Sequence, residues 1–222
     1  MIPLVVATRN AHKVREIQQI LGAQVLCIPL SDLPDAPPLI EDGDTFAANA
    51  TKKAVQLAEW LARRSDPEFG THTPEARVLA DDSGLEVDAL NGAPGVHSAR
   101  FAALDTGASG NSSEADNNIK LLRLLKDVPF ERRTARFRCA LALTEVIPHA
   151  ARRTPQLYEG VCEGRIDCNP RGEGGFGYDP LFVPDGYQQS FAELGDETKN
   201  RLSHRSRALA KLRERLLSHG CR

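Results

Sequence analysis

Two adjacent carboxylates, Asp81 and Asp82, follow the apolar run Val78-Leu79-Ala80 and precede Ser83-Gly84. A carboxylate at the end of a buried strand is a candidate metal ligand or base, because α/β sheets carry their ligand sites there. Strand side chains alternate in direction, so both aspartates reach one cleft only where the strand has ended, and one of them is expected to be the working group. A solvated turn with an Asx cap accounts for the same residues. A second acidic group, Glu41-Asp42-Gly43-Asp44, lies in a stretch without Lys or Arg from Leu33 to Thr51. A hard cation such as Mg²⁺ takes one or two carboxylates with water and phosphate oxygens, and Glu41 with Asp82 would suffice. Acidic residues ahead of a helix also complement its dipole with no metal involved.

Positive charge gathers elsewhere. Lys199 to Leu217 holds seven basic residues against Glu214 alone, a net +6. Such a helix suits nucleic acid or simply faces solvent. At its start stands Ser203-His204-Arg205, where free backbone N–H groups and a fork of donors can bind an anion or a carbonyl oxygen. Gly172-x-Gly174-x-x-Gly177 matches the dinucleotide fingerprint in letters only. Tyr178-Asp179-Pro180 and then Pro184 follow where a helix would have to open, which argues against a nicotinamide or flavin site. No G-x-x-x-x-G-K-[ST] loop is present.

The elements that must position these groups alternate between strand and helix. Leu4 to Ala7 predicts a buried strand, followed by a helix with Val14, Ile17 and Leu21 on one face. Pro29 to Asp44 is an exposed connection broken by Pro34, Pro37, Pro38 and Gly43. A long helix is expected from an Asp44 N-cap to about Arg64, with an apolar stripe of Phe46, Ala50, Ala54, Leu57, Ala58 and Leu61. After a polar loop at Ser65 to Glu75, Val78-Leu79-Ala80 predicts one short strand and Leu85, Val87 and Ala89 another. Leu104 to Ser113 is a Gly/Ser/Asn-rich loop, and Ser113 with Asp116 marks a helix start. From Ala135, alternation sets Phe137, Cys139, Leu141 and Leu143 against Arg136 and Arg138, a half-buried strand. A β segment from Leu157 to Ile166 and a helix from about His204 to Leu217 complete a mixed α/β pattern with no internal repeat.

Composition bounds the possibilities. The 222 residues carry 28 Lys+Arg and 30 Asp+Glu, a net charge of −2 that argues against a general nucleic-acid binder. With 41 % hydrophobic and 26 % charged residues the chain has the composition of a soluble globular protein. No apolar run approaches the roughly 18 residues that span a bilayer, and the N-terminus does not resemble a signal peptide. A cytoplasmic protein without membrane contact is expected. The five cysteines are odd in number and form no C-x-x-C pair, so reduced, mostly buried thiols are expected in place of disulfides or a zinc site.

Taken together and in order, Thr8-x-Asn10-x-x-Lys13, Glu41 with Thr45-Phe46 and Asn49, Asp81-Asp82-Ser83-Gly84-Leu85, Ala93-Pro94-Gly95-x-x-Ser98-Ala99-Arg100, Gly175-Phe176-Gly177-Tyr178-Asp179-Pro180, and Lys199 with Ser203-His204-Arg205 resemble the Ham1-like inosine/xanthosine triphosphate pyrophosphatases. These are also called noncanonical purine NTP pyrophosphatases. The resemblance spans about residues 4 to 212. It implies one domain over residues 1–222, an α/β fold with an elongated mixed sheet and flanking helices in two lobes around a central cleft. It also implies a homodimer that uses Mg²⁺ to hydrolyse (d)ITP and XTP to the monophosphate and pyrophosphate. On the matching positions, Thr8, Asn10 and Lys13 would form a phosphate-binding turn, with Lys53 adding charge. Glu41 and Asp82 would hold Mg²⁺, with Asp82 as proton acceptor. Ser83 would touch the substrate, Phe176, Gly177, Tyr178 and Asp179 would embrace base and sugar, and Lys199, His204 and Arg205 would complete recognition.

Those roles suit the chemistry. Cleavage between the α and β phosphates needs an in-line water, a screened polyphosphate and a stabilised leaving group, so positioning and electrostatics dominate. An aspartate of ordinary pKa is a weak base, so Asp82 is expected to orient a water whose acidity Mg²⁺ has raised. Hypoxanthine and xanthine offer O6 as acceptor to His204 and Arg205, whereas adenine offers an amino group and leaves buried donors unpaired. Guanine shares O6, so its rejection must rest on pocket shape. The chain departs from the family pattern at Arg9 and His12, where glycine is common, and at Ser206, again often glycine; Arg9 is expected to face solvent. Three alternatives remain at this level: a related pyrophosphatase with another base preference, a nucleotide-binding protein without catalysis, and an RNA-binding protein. Intact Glu41 and Asp82 argue against the second, and 5 % aromatic content argues against the third.

Overall fold

The computed structural model describes residues 2–63, 76–147 and 154–218. The polar loop expected at Ser65 to Glu75, the expected helix end at Arg64, and Cys221 lie outside them. Six strands form one sheet in the order β2-β1-β3-β4-β5-β6. Strand β1 (Ile2–Val6) pairs in parallel with β2 (Val25–Pro29) and β3 (Arg77–Val87), while β5 (Gln156–Ile166) pairs antiparallel with β6 (Phe182–Pro184), so the sheet is mixed. Parallel neighbours need crossover connections. Helix α1 (Ala11–Leu21) joins β1 to β2, and α2 (Phe46–Ala62) lies between β2 and β3 in the chain. Helices α3 (Glu114–Leu124), α4 (Phe191–Leu202) and α5 (His204–Ser218), with strand β4 (Thr134–Glu145), complete the described elements. No helix among them is long and apolar enough to cross a membrane.

The chain divides into two compact units, one of residues 1–82, 140–159 and 208–222 and one of residues 83–139 and 160–207. In the first, the expected α2 stripe is entirely buried: Phe46, Ala50, Ala54, Leu57, Ala58 and Leu61 join Leu4, Val5, Leu79 and Leu141 in the core. The cap of α2 is Thr45, whose hydroxyl accepts from Ala48 N at 3.1 Å, one residue later than the expected Asp44. In the second, Leu85, Val87, Phe101, Leu121, Phe137, Ile166, Tyr178, Phe182 and Phe191 form the core. As expected, Ser113 caps α3 by accepting from Asp116 N.

Two strand expectations need correction. Val78-Leu79-Ala80 and Leu85 to Ala89 are not separate strands: β3 runs unbroken through Asp81, Asp82 and Gly84, and the expected turn does not form. Buried carboxylates are tolerated mid-strand because lysines from distant elements pair with them, as described below. Strand β4 is half-buried only at its start; from Cys139 to Thr144 both faces are buried. The described cysteines are free, and Cys27, Cys139 and Cys162 are partly or fully buried while Cys168 is exposed. Burial pushes the Cys27 and Cys162 thiols up to about 11.

Arg133 is a structural centre of the second unit. Its buried guanidinium donates to the carbonyls of Leu125 at 2.8 Å, Val128 at 2.9 Å and Asp167 at 3.1 Å. It thereby satisfies the C-terminal end of α3 and ties that end to the segment after β5. Arg133→Met strands three carbonyls and is expected to lower unfolding stability by about 3 kcal/mol. A shifted urea midpoint checks this; an unchanged midpoint contradicts it.

Candidate active site

The first unit builds a charged cluster at the start of α1 and along β3. After β1, Asn10 turns the chain and caps α1, its Oδ1 accepting from His12 N at 2.9 Å and Lys13 N at 3.2 Å, while Thr8 Oγ1 accepts from Asn10 N. Lys13 Nζ donates to Asp81 Oδ1 at 2.7 Å. Lys53, buried on the inner face of α2, donates to Glu41 Oε1 at 2.8 Å, the Asp81 carbonyl at 2.8 Å and Asp82 Oδ1 at 3.3 Å. Its three donors are thus all engaged by protein acceptors. Alternation along β3 sends the two aspartates different ways, and each finds its own lysine. Asp81 is the anchor for Lys13. Asp82 keeps one oxygen, Oδ2, buried with no hydrogen-bond partner.

Electrostatics separates the roles further. Burial raises the Asp82 carboxyl above its ordinary value, with Lys53 and then Lys13 pulling the other way. For Lys53, burial disfavours the ammonium, but Asp82, Glu41 and Asp81 outweigh it and hold the group above the ordinary lysine value. The cluster of Lys13, Lys53, Glu41, Asp81 and Asp82 carries two positive and three negative charges. Among the described residues no three His, Cys, Asp or Glu side chains form a ready metal cage. The donor set nevertheless fits a hard cation that brings its own phosphate and water ligands, because Asp82 Oδ2 is an unclaimed oxygen and Glu41 is half-exposed beside it on Lys53. Close packing shapes the approach to Glu41: Asn49 Oδ1 accepts from Gly43 N at 2.8 Å, and a Cβ on Gly43 would stand 2.9 Å from that oxygen.

The second unit builds a platform around the loop of residues 175–179. Phe176 N donates to Asp179 Oδ2 at 2.8 Å, and Lys199 Nζ reaches the same oxygen at 2.6 Å with both side chains nearly inaccessible. The Lys199 ammonium lies 4.3 Å from the centroid of the Phe176 ring, a cation–π contact that fixes one ring face. Tyr178 is a buried anchor, its hydroxyl donating to the Ser98 carbonyl at 2.9 Å; burial pushes that phenol up. Arg205, buried at the start of α5, donates from Nη2 to Ser83 Oγ at 2.9 Å and lies 5.9 Å from the Phe176 centroid. His204 is buried beside it. After Gly177 come a turn and β6, where a dinucleotide site would need a helix.

The expected site residues therefore fall into two groups. Thr8, Asn10, Lys13, Glu41, Lys53 and Asp82 lie in the first unit, while Ser83, Phe176, Gly177, Tyr178, Asp179, Lys199, His204 and Arg205 lie in the second. Asp82 and Ser83 are consecutive. Three further basic residues of α5 bond to strand β5: Arg207 donates to the Val161 carbonyl, Lys211 to the Glu159 carbonyl and Arg215 to Gln156. Arg9 is exposed, as expected, and donates to the Ala36 carbonyl at 3.1 Å. Ser206 fits its place by donating to the Ser203 carbonyl. One supporting residue has no sequence signal: Asn118 of α3 donates to the Gly177 carbonyl at 2.9 Å, across 59 residues. Its neighbour Asn117 bridges Ala99 and Ala102.

A model described as the Ham1 family matches residues 4–215. A dITP/XTP pyrophosphatase of Desulforamulus reducens is 48 % identical over 214 residues, covering 95 % of this chain and 94 % of its own. The dITP/XTP pyrophosphatase of Geobacter sulfurreducens is 48 % identical over 217 residues, covering 97 % of each. Among solved structures, the Ham1 protein of Staphylococcus aureus aligns with a TM-score of 0.77 at 32 % identity, covering 98 % of this chain and 99 % of that one. A HAM1 protein from Coxiella burnetii aligns at 0.76 and 35 % identity, covering 98 % and 100 %.

Proposed function

The chain belongs to the Ham1 family, and from that premise we propose that it is a nucleoside triphosphate pyrophosphatase, hydrolysing ITP, dITP and XTP to the monophosphate and pyrophosphate. Its relatives bear the name dITP/XTP pyrophosphatase. The observation that carries the reading is the buried Asp82 carboxylate, its Oδ1 held by Lys53 and its Oδ2 without a hydrogen-bond partner, in a cluster with one negative charge in excess. Glu41 and Asp82 would hold Mg²⁺. When bound, that ion supplies screening of the polyphosphate and greater acidity of water.

The remaining work falls to side chains. Thr8, Asn10 and Lys13 receive phosphate at the N-terminus of α1, where the helix dipole favours an anion. Lys53 keeps Glu41 and Asp82 side by side despite their mutual repulsion. Asp82 accepts the proton of the attacking water. Phe176 stacks on the base, with Lys199 and Asp179 holding the ring from behind. His204 and Arg205 donate to O6, and Ser83 meets the sugar side. Gly177 and Tyr178 give the loop its path.

That path admits a direct test. Gly175 sits at φ +75°, and a Cβ there would overlap the Asp179 carboxylate. Gly175→Ala is expected to displace Phe176 and lower kcat/KM for dITP on the order of 100-fold. Wild-type kinetics from this variant would remove the loop from the account.

Pyrophosphate release from dITP, XTP, dGTP and ATP, with and without Mg²⁺, tests the function as a whole. Fast turnover of dITP and XTP, slow turnover of ATP and dependence on Mg²⁺ are expected. Equal rates on ATP would favour the pyrophosphatase of different base preference; binding without turnover would favour the non-catalytic reading. The homodimer rests on the family resemblance, and a monomer mass by light scattering at micromolar concentration would overturn it; the cytoplasmic location is the expectation drawn from the sequence.

A further inference from the structure

One aromatic residue outside every motif of the site packs face to face against the residue assigned to read the base. Phe137 of β4 stacks on the His204 imidazole, with ring centroids 4.8 Å apart and 14° between the planes. Both are buried. Phe137 is held in turn by Phe182, at 4.7 Å and 59°, and by Phe191, at 6.0 Å and 21°, which contact each other at 5.1 Å. Alternation along β4 fixes the direction of Phe137, and the close-packed ring cluster leaves it one orientation.

We infer that Phe137 is a positioning residue for base recognition, setting the plane of the His204 ring and hence the direction of its donor. The first turn of α5 sets the backbone of His204, and the Phe137 ring lies against one face of its imidazole. Hydrogen bonds weaken steeply as the donor angle departs from linear, so an imidazole free to tilt loses discrimination even when it remains in place. A flat face against the ring restricts that tilt, and an aliphatic side chain of similar volume does not. The inference rests on the reading of His204 as the donor to O6.

The test compares wild type, Phe137→Leu, His204→Ala and the double variant by kcat and KM for dITP and dATP, with thermal melts to check folding. Phe137→Leu is expected to raise KM for dITP about fivefold with little change in kcat, lowering the dITP-to-dATP ratio of kcat/KM. In the His204→Ala background it is expected to have no further effect on that ratio. If His204→Ala lowers the ratio and a folded Phe137→Leu does not, or if the two effects add, the inference is overturned. If His204→Ala itself leaves the ratio unchanged, the reading of His204 falls instead. Should the Leu variant not fold, Phe137→Met, which fills the space without a flat face, carries the same expectation, and a retained ratio in it overturns the inference.

Discussion

Asp82→Asn is expected to lower kcat for dITP on the order of 1,000-fold without loss of fold. The substitution keeps size and shape. It removes the negative charge that makes the cluster attractive to a divalent cation, and it removes the proton acceptor. Stability separates this from a general structural defect. Burial holds the Asp82 pKa above its unfolded value, so the native state takes up protons there on folding. Stability from this group is fully present below the ordinary aspartate pKa and is lost as pH rises through the raised native one. At neutral pH without metal, the neutral asparagine is therefore expected to match or exceed the wild-type melting temperature. An inactive variant that melts lower would point to misfolding, and an active one would move the chemistry to another residue.

Lys53→Met is expected to damage both stability and activity. Lys53 is nearly inaccessible and bonded to Glu41, Asp82 and the Asp81 carbonyl. Without it the Glu41 and Asp82 carboxylates lose the cation between them, and the Asp81 carbonyl loses its donor. Removing one member of a buried ion pair costs about 3 kcal/mol or more, which urea unfolding measures. The same change withdraws the main influence that lowers the Asp82 pKa, so the acid limb of the kcat/KM–pH profile is expected to move to higher pH. A limb that stays in place, or moves down, contradicts the proposed contact between these groups and catalysis.

Much of the fold was legible where a pattern is local. The α2 stripe, the α3 cap at Ser113 and the start of β4 follow from spacing alone, because each reports one face of one element against the core. What was hidden depended on distant partners. Strand β3 looks broken at Asp81-Asp82 because carboxylates seldom sit in a buried strand; Lys13 and Lys53, 68 and 29 residues away from their partners, make it continuous. Strand β2 is only five residues long and ends at Pro29, and α4 is disguised by Gly195, whose φ of 75° kinks it. The choice between Asp44 and Thr45 as cap turned on a single hydroxyl. Within the candidate site, residues with their own chemistry could be proposed from motif order. Asn118 and Phe137 were not, since each works by holding another residue, and only the fold brings the pairs together.

In the proposed reaction water attacks the α-phosphate, with Asp82 as proton acceptor. Hydrolysis of dITP in ¹⁸O-labelled water tests it most directly, with the products resolved by mass spectrometry. Label in the monophosphate, with unlabelled pyrophosphate released in equal amount, is the predicted result. Label in pyrophosphate, or orthophosphate as the first product, would contradict it.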